Sequence, residues 1–415
     1  MTSRHLLRLL AMLLAFGLVA AACGSDDEDD AGDDASASAS ETADEAEGDE
    51  EAAPDDSVPA DEGEGDDEEA AAAGGVLSGV CPATIVIQTD WFPESEHGAM
   101  YNLIGDDYVI DIATQTVTGS LVSGGEDTGV DVEVRTGGPA IGFTAPPAQL
   151  YADDAIHFGY VSTDEGFLLR EDTPTIAVMA PLEKNPQMIM WDPETYPDVE
   201  SIADLGEAGI TINVFAGQTY AEVFVAQGIL SEDQLDPSYD GGPARFIAEG
   251  GAIAQQGFAS AEPYNYENVF EDWGKPVQIG LLNDAGFEIY SQALAIKEAD
   301  LEELRPCLEV FVPIVQQATV DFYNDPARAN GIIIDAVTQY DSFWVYDEGI
   351  AEFSVSTQLD LGLAGNGPDA TVGNMDPDRI QRVLDSLVEA GLLDEGTYTP
   401  DDIMTNEFID ESIGF

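Results

Sequence analysis

Thr84-Ile85-Val86-Ile87-Gln88-Thr89-Asp90-Trp91-Phe92-Pro93-Glu94-Ser95-Glu96-His97-Gly98-Ala99-Met100-Tyr101 reads as a strand, a loop and the start of a helix. The β-branched run 84–88 favours an extended, buried strand. Pro93 then turns the chain, and residues 96–104 continue as a helix. In open α/β sheets, ligands bind beyond the carboxyl ends of strands, so this loop is a prime position for a site. Trp91 offers a flat face to a ring or a cation, and Glu96 and His97 can hydrogen-bond a polar edge. The competing reading makes Trp91 and Phe92 caps on a core.

Outward from this stretch, strand and helix signals alternate. Residues 130–134 alternate apolar and polar with period two. Short strands are expected at 140–143, 156–161, 175–179, 187–191, 210–215, 258–261 and 277–281, and a longer one at 289–296. After that the chain turns helical, with segments expected at 300–304 and 310–323. Asp376 caps a last helix with Pro377 at its first position. Ile380, Val383, Leu384, Leu387 and Val388 share one face of it, and Gly391 ends it. The alternation predicts an α/β fold with parallel sheets.

The amino end has a different character. Arg4 and Arg8 precede a hydrophobic run that stops at Cys23 after Val19-Ala20-Ala21-Ala22, the pattern of a lipoprotein leader over 1–22 with lipidation of Cys23. An ordinary signal peptide cut elsewhere is the alternative, and both predict export to the outer face of the cytoplasmic membrane or beyond. Residues 24–75 hold 23 acidic side chains and no aromatic or basic one. Such a segment cannot bury enough apolar area to order itself, so 23–75 reads as a disordered acidic tether. A flexible chain of this length spans on the order of 40 Å.

Of the 83 acids and 12 bases in the whole chain, the body from residue 76 keeps 60 acids and 10 bases. A field of that sign repels polyanions and argues against nucleic acid as a partner. With Cys23 assigned to the anchor, Cys81 and Cys307 remain. In an exported chain they make a natural disulfide pair, and two buried free thiols are the alternative.

Further loops share the strand-to-helix grammar. Gly142-Phe143-Thr144-Ala145-Pro146 presents Thr144, and Phe215-Ala216-Gly217-Gln218-Thr219-Tyr220 presents Gly217, Gln218 and Thr219, with glycine letting backbone amides approach a ligand. Ala261-Glu262-Pro263-Tyr264 places Glu262 where it can accept from an amine or amide, and Tyr290 offers an aromatic wall. There is no GxSxG elbow, HExxH, P-loop or CxxC, and of three histidines one lies in the leader. His157 reads as structural. No catalytic residue, metal or cofactor is expected.

In this order the motifs resemble the solute-binding components of ABC importers of the nitrate, sulfonate and thiamine-precursor type. The opening from Gln88 to Pro93 with His97-Gly98 and Tyr101 is similar to the thiamine-pyrimidine branch. Gly129-Val130-Asp131-Val132-Glu133-Val134 with Gly137-Gly138-Pro139 resembles its second strand. Ser201-Ile202-Ala203-Asp204-Leu205 resembles the opening of its second lobe, Ala261-Glu262-Pro263-Tyr264 its Glu-Pro segment, and Thr405-Asn406-Glu407-Phe408-Ile409 its carboxyl end. The resemblance implies a two-lobed periplasmic-binding-protein-like fold with two crossing segments, lobe 1 over 76–182 and 285–415 and lobe 2 over 183–284. It implies a ligand cleft contacted by Trp91, His97, Tyr101, Gly217, Gln218, Thr219 and Glu262, a membrane permease as partner, and action as a single chain. Glu94 and Glu96 stand where the thiamine branch more often has asparagines. With only Arg135, Arg170 and Lys184 as bases near such a cleft, a neutral or cationic organic solute, a heteroaromatic one included, is expected over an anion. Two other readings share the sequence. One is an enzyme like the pyrimidine synthase of this fold that consumes a histidine at a place comparable to His97. The other is an exported sensor without a permease.

Overall fold

The computed structural model describes residues 74–415. The leader, Cys23 and all but the last two residues of the acidic segment lie outside the described residues. Twelve strands are assigned among those residues: β1 (Thr84–Gln88), β2 (Val109–Asp111), β3 (Thr116–Ser123), β4 (Glu126–Arg135), β5 (Phe158–Val161), β6 (Thr175–Met179), β7 (Gln187–Trp191), β8 (Ile212–Asn213), β9 (Leu235–Asp236), β10 (Ala254–Phe258), β11 (Gln278–Leu281) and β12 (Ala293–Lys297). They form two sheets flanked by helices, a two-lobed α/β fold. One sheet has the order β2-β3-β4-β1-β5-β12-β6 and the other β11-β7-β10-β8-β9. The chain crosses between the sheets twice, from β6 to β7 and from β11 to β12.

The sheets are mixed, against the parallel arrangement expected. β1 runs parallel to β4 and β5, but β12 is antiparallel to both β5 and β6, and β2, β3 and β4 form an antiparallel meander. β12 takes the opposite direction because it re-enters the first sheet from the second. In the second sheet β10 lies antiparallel to β7 and parallel to β8.

Several local expectations shift. Residues 140–143 are not a strand: Gly138–Ile141 is a 3-10 turn, with Gly138 and Gly142 both at positive φ around Pro139. Proline removes a ladder donor and the two glycines bend the chain away from any neighbour. The strand expected at 258–261 lies earlier, at Ala254–Phe258, and that at 289–296 later, at Ala293–Lys297. The two expected helices are one, Leu301–Asn324, running through Pro306 and Pro313. Its buried face, with Cys307, Leu308, Phe311, Val312 and Val315, joins the main core, where Phe311 packs on Phe158 of β5 at 5.0 Å, and that burial outweighs the two missing backbone bonds.

Cys81 and Cys307 form a disulfide with Cα atoms 4.7 Å apart, closing a span of 226 residues. It ties the amino end of the body to the long helix. The helix Pro377–Glu389 forms as expected, with Asp376 accepting from the Asp378 N–H and Gly391 at φ 70°. It packs on helices Thr163–Leu168 and Thr219–Ala226, which lead from the first and second sheets respectively. His157 precedes β5 and accepts from the Val86 N–H at 3.1 Å, a structural role.

Candidate functional site

Because β1 lies between β4 and β5 and runs parallel to both, their carboxyl ends lie side by side along one edge. That edge presents Asp90, Trp91 and Glu94 after β1, Gly138 and Phe143 after β4, and Ser162, Asp164 and Glu165 after β5. The second sheet presents an edge of its own. Register pairs Phe258, the last residue of β10, with Gln187, the first of β7, and β8 leads into 215–219 on the same side. The two edges enclose a cavity of about 670 Å³.

Asp90 is held from behind. His97 Nε2 donates to Asp90 Oδ1 at 2.8 Å, and Gln292 Nε2 donates to both carboxylate oxygens at 3.1 and 3.0 Å. Since a carboxylate only accepts, the Nε2 of His97 carries the proton. His97 itself is fully buried. Glu94 is 4% exposed, and burial, reinforced by Glu96, Asp90 and Glu262, holds its carboxyl well above the usual range. Burial pushes Glu165 up to about 8, with Asp164 and Asp90 adding to the shift, and Glu262 up to about 7. Burial also raises Asp164, partly offset by the Ser162 and Thr219 hydroxyls. Each group keeps a proton more readily than it does in water because the charged form has lost solvent.

The lining has six carboxyls, from Asp90, Glu94, Asp164, Glu165, Asp240 and Glu262, and no Lys, Arg or His. Arg135 pairs instead with Glu133 and Asp153, and Arg170 with Glu298; neither they nor Lys184 reach the cavity. One wall is aromatic. Trp91, Phe143 and Phe215 lie with ring centroids 6.0, 6.0 and 6.2 Å apart, joining rings from both lobes, and Tyr239 packs on Phe215 at 4.7 Å. Gly138 makes room for Trp91: at φ 57° a Cβ there would come within 2.7 Å of the indole. Gln256 orients the far side, accepting from the Phe215 N–H at 2.8 Å and from Tyr220 Oη at 3.0 Å.

Of the residues singled out in the sequence, Trp91, Thr144, Gly217, Gln218, Thr219 and Glu262 line this cavity. His97, Tyr101 and Tyr290 do not. His97 stands behind Asp90, and Tyr101 is wholly buried in the core. Tyr290 lies under Arg379, whose guanidinium is 3.8 Å from the ring centre, and accepts from the Asp376 N–H at 2.9 Å. The reading missed Tyr160, Ser162, Asp164 and Glu165, although Phe158–Val161 is a strand running into a helix start with Ser162 at the N-cap position. It also missed Trp344, whose indole N–H reaches the Pro93 carbonyl at 3.3 Å from a loop with no strand before it.

No known protein family and no curated protein matches this sequence. Solved structures do. A protein from Bordetella bronchiseptica RB50 shares 15% identity over 79% of this chain and 96% of its own, with a TM-score of 0.50. The periplasmic aliphatic sulphonate binding protein SsuA from Escherichia coli shares 12% identity over 78% and 90%, with a TM-score of 0.47. The desulfurization enzyme DSZB shares 14% over 78% and 97%, at 0.44. The structural neighbours thus include both a periplasmic binding protein and an enzyme. Among the described residues, no helix is long and apolar enough to cross a membrane.

Proposed function

We propose that this chain is the extracytoplasmic solute-binding component of an ABC importer of the nitrate, sulfonate and thiamine-precursor type, held to the membrane by a lipid on Cys23. Lobe 1 comprises 76–182 and 285–415, and lobe 2 comprises 183–284. The chain captures one small organic solute between them and passes it unchanged to a membrane permease. The observation that carries this reading is the cavity with two walls: Asp90, Trp91, Thr144 and Glu165 come from one lobe, and Phe215, Gly217, Gln218, Thr219 and Glu262 from the other. A ligand touching both walls stabilises the closed arrangement by its extra contacts, which is how a two-lobed receptor converts binding into a shape a permease can read. His97 supports the site through Asp90, and Tyr101 and Tyr290 support it from the core.

The solute is neutral or cationic. Burying an anion in a lining of six carboxyls with no basic side chain would leave its charge desolvated and uncompensated. The test is tryptophan fluorescence, with Trp91→Phe as control, titrated with pyrimidines, flavins, amines and sulfonates. Saturation by an uncharged or cationic compound without its conversion supports the reading. Saturation by sulfonates alone, or turnover of any compound, contradicts it.

A further inference from the structure

The acidic groups of the cavity are not gathered at one point. Glu94 follows β1 and Glu262 follows β10 of the second sheet, whereas Asp164 and Glu165 follow β5. Asp90 follows β1, which lies beside β5 in the first sheet. Among the described residues, no group of three or more His, Cys, Asp or Glu is set to hold a metal ion. Spread carboxyls of this kind suit positive charges that are themselves spread along a molecule.

Three polar atoms around the end of β5 have no partner, Tyr160 Oη, Asp164 Oδ1 and Ser291 Oγ, with Ser291 brought there by the pairing of Ala293 with Val161 and of Tyr290 with Thr163. All three residues line the cavity, Tyr160 wholly buried and Asp164 5% exposed. Leaving such groups unpaired is costly, so they mark where a ligand's hydrogen bonds fall. Two are hydroxyls and one a carboxylate oxygen, all able to accept. A protonated primary amine brings three N–H donors. The rings of Trp91, Phe143 and Phe215 lie with centroids 6.0 to 6.2 Å apart. Together they make an apolar flank, the surface an alkyl spacer needs.

We propose that the solute is an organic polycation with at least two primary or secondary ammonium groups, one bound by Asp164, Glu165, Tyr160 and Ser291 and another by Glu94 and Glu262. The proposal rests on the solute-binding reading and narrows it. The raised carboxyls fit it: an empty cavity near neutral pH keeps protons on Glu165, and a bound ammonium displaces them.

Isothermal titration of the full chain at pH 7.5 in 0.5 M NaCl, which screens adventitious binding to the acidic surface, tests this. The probes are 1,4-diaminobutane, spermidine, butylamine, choline and ethanesulfonate, each in two buffers of different ionisation heat. A diamine or spermidine saturates one site at least tenfold more tightly than butylamine or choline and releases protons on binding. Asp164→Asn, Glu165→Gln and Ser291→Ala each weaken it about tenfold or more with unfolding midpoints retained, and Glu395→Gln on the surface leaves it within twofold. Equal affinity for butylamine or choline, saturation by ethanesulfonate, indifference to all three cavity substitutions, or no saturation by either polyamine overturns the polycation assignment. The solute-binding reading falls separately, on conversion of any probe to a product.

Discussion

Asp90 and His97 are joined at 2.8 Å, with the imidazole entirely inside the protein and the carboxylate on the wall of the cavity. The ring is thus a fixed support for a charge that faces the cleft. A buried, charge-assisted bond of this kind contributes about 2 kcal/mol. His97→Ala is expected to lower unfolding free energy by about that amount or more, measured by denaturant titration. Combined with Asp90→Asn, its effect should be markedly less than additive, because both changes remove the same bond.

Gly138 and Trp91 give a second prediction. Alanine at 138 must adopt a positive φ, at a cost of about 1–2 kcal/mol, and must also displace the indole. Gly138→Ala should therefore reduce stability and shift tryptophan emission together. A stability loss with unchanged emission would mean that Trp91 is not held by this turn.

The bond between Cys81 and Cys307 removes loop entropy from the unfolded chain, by about 5 kcal/mol for a closure of this length. Reductant, or Cys81→Ser with Cys307→Ser, should lower the melting temperature by many degrees. Mass analysis after alkylation should show label on these two cysteines only after reduction.

Stability should also depend on pH with a definite sign. Glu165 and Glu262 have folded pKa values near 8 and 7, above their ordinary 4.5, and Glu94, Glu96 and Asp164 are raised as well. Between the ordinary and the raised values the folded state holds more protons than the unfolded one. The contribution is therefore complete below about pH 4.5 and is lost as pH rises through 7 to 8. Ligand-free protein should melt lower at pH 8 than at pH 6, and Glu165→Gln should flatten that slope.

How much of this was legible in the sequence follows from the residues. The loop from Asp90 to Glu94 was readable because a β-branched strand, a proline turn and a helix start leave one place for exposed chemistry. The loops before Thr219 and after Phe258 followed the same rule. His97 looked like a contact because loop position says nothing about which side of the backbone a ring takes; the buried network with Asp90 and Gln292 decides it. Asp164 and Glu165 were lost among many acids, since composition hides which carboxyls are enclosed. Trp344 comes from a loop far along the chain, where only the tertiary fold brings it beside Pro93 and Trp91. The antiparallel β12 was equally hidden, because apolar runs carry no direction.

In the proposed function two lobes grip one small solute and leave it unaltered. Native mass spectrometry of full-length protein purified gently from its source tests this most directly. The expected result is one bound molecule per chain, released intact on denaturation and lost when Asp90→Asn and Glu165→Gln are combined. Empty protein from every preparation, or a released molecule that is the reaction product of an added compound, would contradict it.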